Sequence, residues 1–521
     1  MTPDHRLFPL RARRQDGFTL VELLVVIVIL GVLAAIVAFA VRGIGDKGTK
    51  SAIAADAASL RTAEESFCAK HGRYGTVEDL TADGLLTGEP VYHMVVVGEE
   101  NKCGRGAKSS FVLNDTSTPM ESVKDAIQVG QNPTDVAVDE KADRVYVVAG
   151  VGNNVTVIDG KTDAAIGAPI DLSGAGVTNP NRIAVDPGTG RVYVGGTGGV
   201  AIIDTTNANQ VTSVAAFGTT VTGLAVSPEN GDVYVASGAR GTTEVAYIAA
   251  GSSSATKIPL PALGLGNESN GVDFAFAPVH HEVYLAKSNV GTGASDASRV
   301  GIYVISSQTH QAKLVAPFST KASCNTGGDF FASNSIRSSI AVDPGRNRVY
   351  FLAKRCVPTS RTAVATTIVM NPNDGTYTAI DDLGATSSLA HTVVYNAAAG
   401  SVYVYSAVTG THCNTKGGRI DRIVEKTVTG QVSVCAASND ALGNPLHKVV
   451  MLKDFNRLFI AQDGVMGTGG LGVANGGTLL TQASLGAPRQ FSSVATNNTT
   501  GKVYAVEPDK GTVAVFRAGP A

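Results

Sequence analysis

Several kinds of side chain in this sequence could do chemistry, and each asks for a different setting. Glu22 is a lone carboxylate in an otherwise uncharged stretch from Phe18 to Val41. A carboxylate inside a hydrocarbon-length run is costly unless a cation or amine meets it, so Glu22 reads as a pairing residue. Six cysteines, Cys68, Cys103, Cys324, Cys356, Cys413 and Cys435, permit three disulfides in an oxidising compartment. His280, His281, His310, His391, His412 and His447 lack a metal-ligand spacing such as His-x-x-x-His and read as loop or channel-mouth residues. Asp135, Arg182, Asp273, Arg337, His391, His447 and Arg489 each stand just ahead of an apolar strand. Their mixed signs suggest a polar, solvated mouth that could take a small ligand or glycan. No Ser-His-Asp arrangement or phosphate-cradling glycine loop stands out. No metal or cofactor is implied, and the chain reads as non-enzymatic.

The elements that must position these residues are set by composition. The chain has 521 residues, with 42 Lys+Arg against 44 Asp+Glu, a net charge of −2. That balance lacks the basic footprint of a nucleic-acid binder. Glycine accounts for 59 residues and apolar types for 44 %, which favours short buried strands joined by tight turns. Tryptophan is absent, so folds built on a repeated docking Trp are disfavoured.

The N-terminal segment carries Arg6, Arg11, Arg13 and Arg14 ahead of Gly17, followed by 24 residues with the single charge of Glu22. At 1.5 Å per residue such a helix reaches ~36 Å, enough to cross a ~30 Å hydrocarbon core. The arginines place the N-terminus in the cytoplasm and the rest outside. The junction Gly17-Phe18-Thr19-Leu20-Val21-Glu22-Leu23-Leu24 resembles the processing site of type IV prepilins and type II secretion pseudopilins. The resemblance implies that a prepilin peptidase cuts between Gly17 and Phe18, after a leader of residues 1–17, and that Phe18 is then N-methylated. It further implies that Glu22 neutralises the α-amine of a neighbouring subunit as the helix 18–41 leaves the bilayer for a filament.

A pilin-like α+β domain over 18–113 is expected. Ile53, Ala57, Leu60, Ala63 and Phe67 recur at helical steps of three and four. Gly43, Gly45 and Gly48 should weaken the helix between its membrane half and this half. The segment from His71 to Leu86 resembles the stretch after the long helix in small pilins and pseudopilins. Strand-like runs at Val91–Val97 and Ser110–Leu113 complete a small head. This head holds only Cys68 and Cys103, so one disulfide between them is the simple pairing.

Residues 114–124 read as a polar linker, and beyond it, over 125–521, one pattern repeats. An apolar strand, a turn and a second strand recur, marked by Tyr146, Tyr193, Tyr234, Tyr284, Tyr350, Tyr403, Phe459 and Tyr504. The separations of 41 to 66 residues suit a four-stranded propeller blade. The last set lacks a fourth strand, which Asp125–Val129 should supply, closing the ring. Eight blades are expected, with seven the alternative because the set around Phe459 is rich in glycine. Asn371-Pro372-Asn373-Asp374-Gly375 lacks the alternating acids of a calcium loop and reads as a hairpin turn. Bridges Cys324–Cys356 and Cys413–Cys435 would close local loops, each stabilising by roughly 3–4 kcal/mol. The phrase Arg144-Val145-Tyr146-Val147-Val148-Ala149-Gly150, with Asn153 to Asp159, is similar to YVTN-type propellers of bacterial and archaeal surface proteins. That resemblance speaks to fold and leaves function open.

The expected function is a minor type IV pilin-like subunit, inserted in the cytoplasmic membrane as a precursor and then carried to the cell surface. Other pilin subunits would be its partners, and its propeller would serve adhesion or recognition of an extracellular ligand. The alternatives are a type II secretion pseudopilin that recruits an exported substrate and a membrane-tethered propeller enzyme.

Overall fold

The structure is a computed structural model that describes residues 51–87, 90, 92–97, 103, 111–115, 120–214, 220–238, 244–261, 273–289, 299–319, 340–357, 362–381, 389–397, 399–408, 417–435, 448–462, 470–476, 479, 481–485 and 489–518. Gly17, Phe18 and Glu22, with the whole 18–41 segment, lie outside these residues. Among the described residues no helix is long and apolar enough to cross a membrane.

Residues 51–71 are helical (α1). Leu60, Ala63 and Phe67, spaced by three and four, are buried, as a one-faced helix requires. A short helix α2 (Val77–Ala82) comes next. The Thr76 side chain accepts from the Asp79 amide and the Asp79 carboxylate accepts from the Thr76 amide, a reciprocal cap of its first turn. Strand β1 (His93–Val97) pairs antiparallel with β2 (Phe111–Asp115), Val95 opposite Leu113. Leu60, Phe67, Val77, Leu80 and Val95 form one core with these strands, and the expected Cys68–Cys103 disulfide is formed.

Beyond the head, the described residues form eight sheets, each with four successive strand positions. Their first strands are Pro133–Asp139, Thr178–Asp186, Val221–Val226, Phe274–Ala277, Ile340–Asp343, Leu389–Asn396, Val449–Leu452 and Ser493–Asn497. Each touches the next, and the last touches the first, so the ring is closed. This is an eight-bladed β-propeller. The blade around Phe459 is complete, with Val449–Leu452, Arg457–Gln462, Gly470–Asn475 and Thr481–Leu485 paired in order, which decides for eight over seven.

The second strands hold the repeated aromatics. Tyr193, Tyr234, Tyr284, Phe459 and Tyr504 have no exposed surface, and Tyr146, Tyr350 and Tyr403 at most 3 %. They pack in clusters shared between adjacent blades, so hydrophobic burial holds blade to blade. Asp186 and Asp343 cap the turns between first and second strands in blades two and five, accepting from the amides of Gly188 and Arg346. Asn371–Gly375 is the expected hairpin turn, with the Gly375 amide bonded to the Asn371 carbonyl.

Ring closure occurs where expected, with different bounds. Strand β3 (Met120–Gln128) pairs antiparallel with Thr512–Ala518, the third strand of blade eight, Met120 opposite Ala518 and Gln128 opposite Thr512. It begins five residues before the Asp125 expected from sequence. Of the expected linker, residues 114–115 belong to β2 and 120–124 to β3, and 116–119 lie outside the described residues. An outermost strand has one solvated face, and between Met120 and Ile127 every residue of β3 is exposed, so its composition mimics a linker. In blade one the fourth strand position is split into Ala164–Ala165 and Ile170–Asp171. Pro169 has no amide hydrogen to donate to a ladder, and Gly167 turns the chain with φ +65°.

Candidate functional site

The blades share one length from the start of the first strand to the aromatic of the second. Counting eleven residues back from each aromatic lands on Asp135, Arg182, Gly223, Asp273, Ser339, Thr392, Lys448 and Ser493. Strand pairing confirms the equivalence: Tyr146, Tyr193, Tyr234, Tyr284, Tyr403, Phe459 and Tyr504 face Ala137, Ala184, Ala225, Ala275, Val394, Val450 and Ala495, each two residues beyond the position named. Ser339 lies outside the described residues. These positions form one tier at the mouth of the channel along which the first strands run.

Asp135, Arg182, Gly223, Asp273 and Lys448 line a cavity of about 560 Å³ in that channel. Below the tier its wall is mostly apolar, with Ile183, Leu224, Ile340, Val342, Val449 and Met451 among the residues that face it, joined by Tyr395 and Lys453. The tier is knit across blades. Asp135, 5 % exposed, accepts from Lys448 Nζ at 2.9 Å and from Ser493 Oγ at 2.7 Å, and Lys448 reaches Ser493 Oγ at 3.2 Å. Blades seven, eight and one thus meet on one carboxylate. A buried charge needs such pairing to be tolerated. Arg182 Nε donates to the Thr222 carbonyl of blade three at 3.1 Å. The arrangement offers both signs of charge and a glycine gap above a largely apolar shaft, which suits non-covalent recognition of a polar group.

Three of the residues read from sequence, Asp135, Arg182 and Asp273, stand in this tier. The others stand off it. His391 is one residue early, at a register irregularity between Ala390 and Thr392, and its side chain is outside the described residues. His447 and Arg337 lie outside them altogether; the tier residue of blade seven is Lys448. Arg489 is four residues early and belongs to the ring closure. Its Nη2 donates to Glu507 Oε2 at 2.7 Å and to the Asp125 carbonyl of β3. Burial pushes the Glu507 carboxyl up, but hydrogen bonds from Arg489, Lys510 and Thr512 outweigh it and bring its pKa down to about 2. Lys448, Thr392 and Ser493 were missed because nearness to an apolar run fixes a strand position only to within a residue or two, and one residue turns a side chain to the opposite face. The constant eleven-residue interval is the signal that finds them.

The described histidines have local partners. His281 Nδ1 bonds Glu229, His280 Nε2 contacts the Pro344 carbonyl at 2.9 Å, and His310 Nε2 meets Asp232 Oδ2 at 2.9 Å while stacking on Tyr247. Among the described residues no group of three or more His, Cys, Asp or Glu is arranged to hold a metal ion. Cys324 and Cys413 lie outside the described residues, as do the side chains of Cys356 and Cys435.

One further carboxylate stands apart, in the α1 core. Glu64 has no exposed surface; its Oε2 accepts from the Gly75 amide at 3.0 Å and its Oε1 has no partner. Burial raises its pKa from 4.5 to about 7, the Gly75 bond opposing and Asp79 and Glu65 adding to the shift.

Comparison with known proteins supports both ends of the chain. Residues 12–38 match the prokaryotic N-terminal methylation motif, a span that contains Gly17, Phe18 and Glu22. No curated protein matches the chain. Among solved structures, the propeller of Dos1 is 10 % identical with a TM-score of 0.50, covering 78 % of this chain and 95 % of that one. Hydrazine synthase of Kuenenia stuttgartiensis is 14 % identical with a TM-score of 0.45, covering 74 % and 96 %. The β-propeller domain of Cps50 (Swd1) from Myceliophteria thermophila is 10 % identical with a TM-score of 0.41, covering 77 % and 100 %. At such identities the likeness is one of fold alone.

Proposed function

We propose that this chain, which joins a prokaryotic N-terminal methylation motif to an eight-bladed β-propeller, is a minor pilin-like subunit that displays the propeller at the cell surface for adhesion or ligand recognition. The observation that carries the reading is the motif itself, with Gly17, Phe18 and Glu22 inside the matched span 12–38, on the same chain as a ring of about 400 residues. Prepilin peptidase would free the α-amine of Phe18, which is methylated. The helix 18–41 would hold the precursor in the cytoplasmic membrane. Glu22 would then meet the Phe18 amine of a neighbouring subunit, exchanging a costly lone charge in lipid for an ion pair. Residues 51–115, a helix followed by a short two-stranded sheet and one disulfide, would serve as the pilin-like head.

The propeller's part in this reading is binding without catalysis. Its tier of Asp135, Arg182, Asp273 and Lys448 would meet the ligand, with Asp135 and Lys448 orienting each other. Labelling filaments with an antibody to the propeller tests the proposal. Wild-type cells should show sparse label on surface filaments, and Glu22→Ala should insert in the membrane but leave filaments unlabelled. Unlabelled wild-type filaments, with the chain co-purifying with a secretion apparatus, would instead favour a type II secretion pseudopilin.

A further inference from the structure

Each first strand runs from the channel mouth to the turn that leads into the second strand, so the tier and these turns lie at opposite ends of the ring, about 13–17 Å apart for four to five residues at ~3.3 Å each. The α1–β2 head meets the ring at the turn end. Arg346, in the turn of blade five, donates to Asp343 Oδ2 at 2.9 Å and to the Gly400 carbonyl of the blade-six turn at 2.9 Å. The same guanidinium lies 3.6 Å from Glu78 of α2 and 3.6 Å from Glu425 of blade six. The Glu78 carboxylate sits 3.3 Å from where a Cβ on Gly345 would stand and 3.6 Å from that of Gly400, so both turns bring bare backbone to it. Ala399, also of the blade-six turn, is 6 % exposed and packs into the head core with Leu60, Phe67 and Leu80. Strands β1 and β2 touch the blade-seven turn at Lys453–Phe455.

We infer that the head is fastened to the turn end of blades five to seven by a clamp centred on Arg346 and completed by Ala399, which leaves the channel mouth with Asp135, Arg182, Asp273 and Lys448 as the end turned away from the head. The ring is then a fixture whose aim follows the head, not a cargo on a tether. Burial raises the Glu78 carboxyl and Arg346 opposes that rise, as expected of an ion pair at a closed contact. The clamp holds whatever the ring recognises; only the meaning of its aim rests on the surface-display reading.

Hydrogen exchange on the full chain in detergent micelles tests it. Arg346→Ala and Ala399→Asp alter the ring alone and are read in the head. Each should speed amide exchange in α2 and β1 by tenfold or more, while blades one and two keep native protection. Ala399→Asp decides the matter should Arg346→Ala loosen blade five itself. Exchange in α2 and β1 within twofold of native in Ala399→Asp would overturn the inference, as would loss of protection spread equally over all blades in both variants.

Discussion

The head and the propeller solve the same problem of stability at different scales. The propeller builds its core between neighbours, so every blade buries an aromatic against the next and the ring closes on itself. Where the chain ends must be joined, it adds buried charge. Lys502 of blade eight places its ammonium 2.7 Å from Asp163 of blade one and 2.6 Å from the Gly160 carbonyl. Among the described residues the head has a core of few side chains, and small cores are marginal alone. It leans on a disulfide, includes Ala399 from blade six, and carries Glu64 in its interior. Repetition gives the ring redundancy, and the head has none, so each of its contacts counts for more.

Cutting the seam should give the largest effect. Lys502→Ala strands Asp163 in a buried site, with a loss of about 3–5 kcal/mol, read as a lower urea midpoint for the propeller transition. Loss of the Cys68–Cys103 bond, by Cys68→Ala with Cys103→Ala, should cost the head about 3–4 kcal/mol for a closed loop of this length and leave the ring's own transition in place. Calorimetry resolves the two.

Acidity separates the regions further. The folded pKa of Glu64 lies above its unfolded value, so its own contribution is most favourable below about pH 4.5 and is lost as pH rises through about 7, opposite to the depressed carboxyls of Asp79 and Asp83 in the same head. Glu64→Gln should remove that dependence, stabilising the head by about 2–3 kcal/mol at pH 8 and by little at pH 4. Glu507 is the opposite case. Its folded pKa of about 2 lies below 4.5, so its contribution to ring closure is whole above pH 4.5 and fades as pH falls toward 2. Melting curves at pH 4, 6 and 8 should therefore show Glu64→Gln gaining on the wild-type head as pH rises, with no such gain in the ring. The smallest effect is expected at the channel mouth: Ser493→Ala removes one of the hydrogen bonds to Asp135 and should lower propeller stability by about 1 kcal/mol.

Much of the ring was legible because a repeat states its own period. The eight aromatics count the blades, and Asp-Pro-Gly turns mark the corners of the second and fifth. Strand β3 was harder, since an outermost strand buries only its ends and Glu121 to Ala126 look like any polar connection. The channel tier was half legible for a related reason. Asp135, Arg182 and Asp273 fall on it when read by nearness to an apolar run, whereas His391, His447 and Arg489 miss it by one to four residues. Side-chain direction in a strand depends on parity, and the bulge beside Thr392 and the variable loops before each blade spoil a count made from the N-terminal side. Counting back from the aromatic avoids both. The Arg346 contact could not be read at all, because it joins residues 78 and 346, which no local pattern relates.

On this reading the chain is a processed subunit and not a permanently anchored precursor. Mass spectrometry of the protein from cells with an active prepilin peptidase tests it most directly. A processed subunit starts at Phe18 with one methyl group on its α-amine; a chain that still carries residues 1–17 would overturn the reading.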